Sequence, residues 1–137
     1  MSGETTGAVR LILRLEGLSV LIAALFAYAK LDFSWGTFAL FFLTPDISIL
    51  GYIAGSRIGA TAYNTAHSYI GALLCLVAGF FLPAPMLLCA GLIWTAHIGF
   101  DRALGYGLKY SAGFGFTHLG LIGRFAQPKP QEIPPLP

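Results

Sequence analysis

Four apolar stretches, each about as long as a bilayer is thick, decide what this chain can fold into. They cover residues 11–29, 35–54, 60–82 and 85–104, and a helix needs ~20 residues to cross the hydrocarbon core. Between them stand Lys30-Leu31-Asp32, Gly55-Ser56-Arg57 up to Gly59, and Leu82-Pro83-Ala84-Pro85, which carry turn chemistry. Short connections make antiparallel neighbours, so the expected fold is all-α, a four-helix transmembrane bundle. The surface chemistry agrees: only 10% of the 137 residues are charged and mean hydropathy is +0.74, against roughly 25% charged in a soluble domain. Lipid must face much of the outside. A net charge of +2, dispersed along the chain, lacks the one-sided Lys/Arg stripe of a nucleic-acid binder. Cys75 and Cys89 lie inside apolar runs, away from any disulfide or Cys-x-x-Cys context.

An antiparallel bundle puts both termini and the Gly55–Gly59 loop on one side, together with Arg10, Arg14, Arg57, Arg102, Lys109, Arg124 and Lys129. Lys30 alone falls on the other. The positive-inside rule then places both termini in the cytoplasm. Residues 1–10 are expected to be a cytoplasmic N-terminus, 11–104 the bundle, 105–126 an interfacial segment or lid, and 127–137 a disordered tail. Six glycines among Tyr106, Tyr110, Phe114, Phe116 and His118 make 105–123 too glycine-rich for a fifth span. Five prolines keep the tail extended. Ala27-Tyr28-Ala29 resembles a signal-peptidase site, but Glu4 makes the leader less basic than such a signal requires, so the first helix is expected to be retained.

Ionisable side chains within a spanning helix are costly and mark functional positions. Counted at ~1.5 Å per residue, Glu16, Asp46, Asn64, His67, His97 and Asp101 fall at similar depths in the cytoplasmic half. The opposite half has almost no ionisable groups. Tyr63, Asn64 and His67 share one helix face, and so do Trp94, His97 and Asp101. Asp101 is placed to orient His97, making a base pair, with Glu16 or Asp46 as the acid; Arg14 and Arg102 are the expected counter-ions. Thr44-Pro45-Asp46 has the order of an N-cap, a first-turn proline and a first-turn acid. The second helix is therefore expected to be kinked or broken there. Gly51, Gly55 and Gly59 combine a close-packing spacing with a turn at Gly55.

The imidazoles and carboxylates suit iron, manganese or zinc, and His67, His97 and Asp101 are the candidate metal ligands. The spacing matches neither His-Glu-x-x-His nor paired Glu-x-x-His motifs, so no cofactor is specified. Haem between His67 and His97 suits their polar surroundings less well. Serine-elbow, phosphate-loop and dinucleotide fingerprints are absent.

Several local motifs run in order along the chain: Arg14-x-Glu16, Pro45-Asp46-Ile47-Ser48 with Gly51-Tyr52, Gly59-Ala60 with Tyr63-Asn64 and His67, His97-Ile98-Gly99-Phe100-Asp101-Arg102, Gly105-Tyr106-Gly107-Leu108-Lys109-Tyr110, and Thr117-His118-Leu119-Gly120. In these the chain resembles the small bacterial integral-membrane family catalogued as domain of unknown function 4260. The resemblance implies a bacterial inner-membrane setting and no particular activity. The expected site comprises Glu16, Asp46, His97 and Asp101 as catalytic groups, with Arg14, Asn64, His67, Arg102, Tyr106, Lys109 and His118 around them. Its expected use is acid–base catalysis on, or binding of, a lipophilic small molecule. The alternatives are an oligomeric transporter or proton-coupled carrier subunit, and a structural or accessory subunit; expected partners are the lipid bilayer, a lipophilic ligand and a second copy of the chain.

Overall fold

The computed structural model describes residues 3–126; the expected disordered tail, 127–137, lies outside them. The chain runs through α1 (Gly7–Lys30), α2 (Trp35–Phe41), a 3-10 helix (Thr44–Ala54), α3 (Ser56–His67), α4 (Tyr69–Phe81) and α5 (Pro85–Leu104). These form four membrane-length stretches, because α2 with the 3-10 helix makes one and α3 with α4 another. Three of the four, Gly7–Lys30, Trp35–Ala54 and Ser56–Phe81, are long and apolar enough to cross a membrane. The fourth, α5, has 20 residues, ~30 Å of helix, and differs in being the buried axis of the molecule. Nearly every residue from Gly91 to Arg102 is buried, with α1 and α4 packed on α5 and α3 packed on the 3-10 helix.

Two of the stretches are broken, the second near Pro45, where a kink or break was expected, and the third at Ser68, where a continuous helix was expected. In the second, α2 stops at Phe41 and the chain resumes at Thr44 as an 11-residue 3-10 helix with Pro45 in its first turn. Proline has no N–H to donate and its ring collides with the preceding turn, so an α-helix cannot pass through at no cost. A 3-10 run this long is uncommon, and such runs mark hinges or strained segments. In the third, Ser68 takes an extended conformation (φ −88°, ψ 149°) between α3 and α4. At membrane depth no water is on hand for the freed carbonyls. Side chains of α5 supply the donors: Trp94 Nε1 donates to the Ala66 carbonyl at 2.6 Å, and Arg102 donates to the His67 carbonyl at 2.7 Å.

Close packing depends on small residues at two places. A Cβ at Gly17 of α1 would collide with Cβ of Arg102, and one at Gly99 of α5 would stand 2.8 Å from the Gly17 carbonyl. Gly51 likewise lets the 3-10 helix approach Gly59 and Ala62 of α3, while Gly55 (φ +116°) makes the joint between the two helices. Both roles expected of the Gly51-Gly55-Gly59 spacing are therefore filled.

Gly105 (φ +95°) ends α5 in the left-handed conformation, and the following residues fold back over the bundle end. They form a small antiparallel hairpin, β1 (Phe116–Thr117) with β2 (Gly120–Leu121), which the glycine-rich composition did not suggest. The hairpin's turn needs Gly120, whose φ of +125° is strained for any side chain. Thr5 donates twice to the His118 carbonyl and the Tyr110 hydroxyl donates to the Gly3 carbonyl. The segment before α1 and the segment after α5 therefore cap the same end. At the other end Tyr28, Cys89, Leu92 and Ile93 make an apolar core.

Replacing Gly99 by leucine should push α1 from α5 and destabilise the protein by about 1–3 kcal/mol, the usual cost of overpacking. Thermal unfolding in mild detergent, compared with Gly36→Ala, where a Cβ would make only an ordinary contact with the Ser34 hydroxyl at 3.5 Å, checks this.

Candidate metal centre

The two breaks bring four polar side chains to one point. Asp46 comes from the first turn of the 3-10 helix, His67 from the last residue of α3, and His97 and Asp101 from one face of α5. His67 Nε2 lies 3.1 Å from His97 Nε2, 3.2 Å from Asp46 Oδ1 and 3.4 Å from Asp101 Oδ2. His97 Nε2 lies 3.4 Å from Asp46 Oδ1 and 3.7 Å from Asp101 Oδ2. One donor atom from each of the four residues fits within a span of 4.8 Å. Tetrahedral ligands 2.0–2.2 Å from a metal ion stand ~3.3–3.6 Å apart. Five of the six donor separations, at 3.1–3.7 Å, are close to that range.

Proton placement sharpens the point. His67 Nδ1 lies 3.0 Å from the Tyr63 carbonyl, which can only accept, so Nδ1 carries the hydrogen. Neutral His67 therefore turns the lone pair of Nε2 toward two carboxylate oxygens and a second imidazole nitrogen. Lone pairs so close together, with both histidines at most 1% exposed, are costly unless something offsets them, either a metal ion or a proton on His97 Nε2, whose ring partner Nδ1 has no hydrogen-bond partner among the described residues. Tyr63 supports the arrangement in three ways. Its carbonyl fixes the His67 tautomer, its ring stacks on the imidazole at 3.7 Å, and its hydroxyl donates to Asp101 Oδ2 at 3.3 Å. Such outer partners orient metal-binding histidines and carboxylates. The i,i+4 spacing of Tyr63 and His67 was visible in the sequence, but nothing there showed the tyrosine's link to Asp101. Phe42 meets the His97 ring edge-on at 5.3 Å.

Other expected site residues lie elsewhere. Glu16 is exposed and lines a separate groove of about 630 Å³ with Tyr69, Arg102 and His118. Arg102 donates to the carbonyls of Tyr106 and His67, and Arg14 donates to that of Ala103. Among the described residues neither arginine pairs with a carboxylate, so the expected counter-ions instead satisfy carbonyls. Asn64 clasps the Lys109 backbone, accepting from its N–H at 2.7 Å and donating to its carbonyl at 2.8 Å. That clasp pins the cap to α3. The Lys109 ammonium is buried 3.9 Å from the Phe114 ring centroid and 4.9 Å from that of Tyr63. Burial pushes its pKa down to about 8, against the pull of Asp101. Tyr106 is half-exposed and contributes its carbonyl. His97 and Asp101, at 3.7 Å, are beyond hydrogen-bond length and both face the shared centre.

The model of a domain of unknown function, DUF4260, matches residues 10–122. The chain belongs to the DUF4260 family. Asp46, Tyr63, His67, His97, Asp101 and Lys109 all fall within the matched span. No curated protein and no solved structure matches the chain.

In this DUF4260 protein the cap is held partly by a neutral histidine. The Leu108 N–H donates to His118 Nδ1 at 2.9 Å, which requires the lone pair there. Burial, and after it the charge of Arg102, lowers the His118 pKa below the ordinary 6.5. The unfolded chain therefore takes up the proton more readily, and the stability that His118 supplies is present above pH ~6.5 and lost as pH falls below it. Wild-type protein should lose more thermal stability between pH 7 and pH 5 than His118→Asn, as read by melting curves of the two proteins in the same detergent.

Proposed function

We propose that this DUF4260 protein is a multi-pass membrane metalloprotein that holds one divalent transition-metal ion on Asp46, His67, His97 and Asp101. The observation that carries this reading is the fixed His67 tautomer, which aims a lone pair at three other electron-pair donors. A single shared proton would satisfy one of those contacts and leave two carboxylates facing each other with one positive charge between them. A divalent ion offsets both carboxylates and accepts all four lone pairs. Two imidazoles and two carboxylates suit zinc, iron(II) or manganese(II).

Zinc held there would act as a Lewis acid, and a water taken up as an additional ligand would have its pKa lowered to ~7. Asp46, with 37% of its side chain exposed, marks the approachable side of the centre, whereas the two histidines close the other. Lys109, whose pKa lies near 8, can yield and regain a proton close to neutral pH. The excess of Arg and Lys at the capped end supports a cytoplasmic position for that end, in the inner membrane of a bacterium. The reading is therefore a metal-dependent reaction run from the cytoplasmic half of the membrane.

Protein purified in mild detergent should contain about one metal ion per chain by elemental mass spectrometry. His67→Ala and His97→Ala should lose it, and Tyr63→Phe, which keeps the ring and the carbonyl but drops the bond to Asp101, should bind it roughly tenfold more weakly. Wild-type protein that remains metal-free after exposure to zinc, iron(II) and manganese(II) would sink the assignment.

A further inference from the structure

Beside the metal centre runs an apolar crevice of about 490 Å³ between α5 and the broken second stretch. On α5 its wall extends from Met86 to Trp94, ~12 Å along the helix axis, and stops one turn short of His97. On the opposite wall it reaches Pro45, the neighbour of Asp46, and Ala66, the neighbour of His67. Its long direction therefore leads to three of the four proposed ligands. Its outer rim is made by Phe41 and Met86, which are 50% and 80% exposed. Both lie on membrane-length stretches, so the rim opens toward lipid chains.

Two of the polar groups along the crevice are already engaged. The Trp94 Nε1–H is taken by the Ala66 carbonyl and the Ser48 hydroxyl by the Pro45 carbonyl. A water column would find few partners, and stable buried water needs two to four of them. An unfilled void of this size would forfeit the dispersion contacts of its lining. Hydrocarbon is the occupant that fits both the lining and the surrounding phase.

We propose that this crevice holds the hydrocarbon chain of an amphiphile that enters sideways from the bilayer, with its polar head group delivered to the metal centre. The proposal rests on the metal reading above for the head group, and on the crevice alone for the chain. It names the substrate class of the site: a membrane-dissolved molecule with one long apolar chain and an oxygen-bearing head that can ligate a divalent ion. Ala90 lines the crevice and is itself exposed, so a larger side chain there fills the crevice without touching a proposed ligand.

The test uses full-length protein with Trp35→Phe, which leaves Trp94 as the sole tryptophan, reconstituted in phosphatidylcholine vesicles. The probe is stearic acid with a nitroxide on its chain, read by quenching of Trp94 fluorescence, with metal content measured on the same samples. Saturable quenching that Ala90→Phe weakens at least tenfold, and that chelation of the metal also weakens, is the expected result. Quenching that rises linearly with probe and is the same in Ala90→Phe would overturn the chain site. Saturable, Ala90-sensitive quenching that ignores removal of a measured metal ion would overturn the delivery of the head group. Metal-free protein with saturable, Ala90-sensitive quenching would overturn the metal reading and support the chain site, so the two failures are distinguishable.

Discussion

The gathering of two histidines and two aspartates, with one donor atom of each held within 4.8 Å of the others in a bundle built for lipid, is the constraint on which the rest of the structure depends. Apolar packing alone would disperse Asp46, His67, His97 and Asp101 toward water. They are kept together because the backbone around them is committed elsewhere. The chain breaks twice to bring them in, and each break exposes peptide groups that the bilayer cannot solvate. The bundle therefore contains two linked features, polar side chains gathered within an apolar bundle and backbone without a continuous helix, and the breaks in the backbone bring the side chains together.

α5 serves both. Trp94 and Arg102 stand eight residues apart on it and take up the carbonyls of Ala66 and His67, while His97 and Asp101, between them, reach the centre. Arg102 is accordingly a structural cation. Among the described residues its guanidinium is used on carbonyls and not on the carboxylates of Asp46 and Asp101. The tight contact of α1 with α5 through Gly17 and Gly99 holds this helix in place without adding a polar group to the centre.

Much of this was legible in the sequence, for definite reasons. Bilayer-length apolar runs and the turn residues between them are local signals, and the four-stretch fold follows from them; the glycine-rich segment after residue 104 left an interfacial stretch and a lid both open. The convergence of Asp46, His67, His97 and Asp101 was partly legible, because depth along a helix can be counted from its end. Which way each side chain turns around the helix axis cannot be counted so simply once the helix breaks. For that reason Glu16 shared a depth with the cluster and yet faces a different groove. The break at Ser68 had no signal of its own: no proline or glycine stands at the joint, and the donors that stabilise it come from Trp94 and Arg102, far along the chain. The role of Tyr63 was hidden for the same reason, since its link to Asp101 spans 38 residues.

The cap joins the first described residues to nearly the last. Thr5 and His118 are separated by 113 positions, and Gly3 and Tyr110 by 107. During synthesis the N-terminal segment emerges first and must wait, unpaired, until the hairpin has left the ribosome. Asp46, His67, His97 and Asp101 all lie between the two halves of the cap in chain order. Closing the roof over them is therefore a long-range step that no local segment completes by itself, and its loop-closure cost is set by the whole bundle in between.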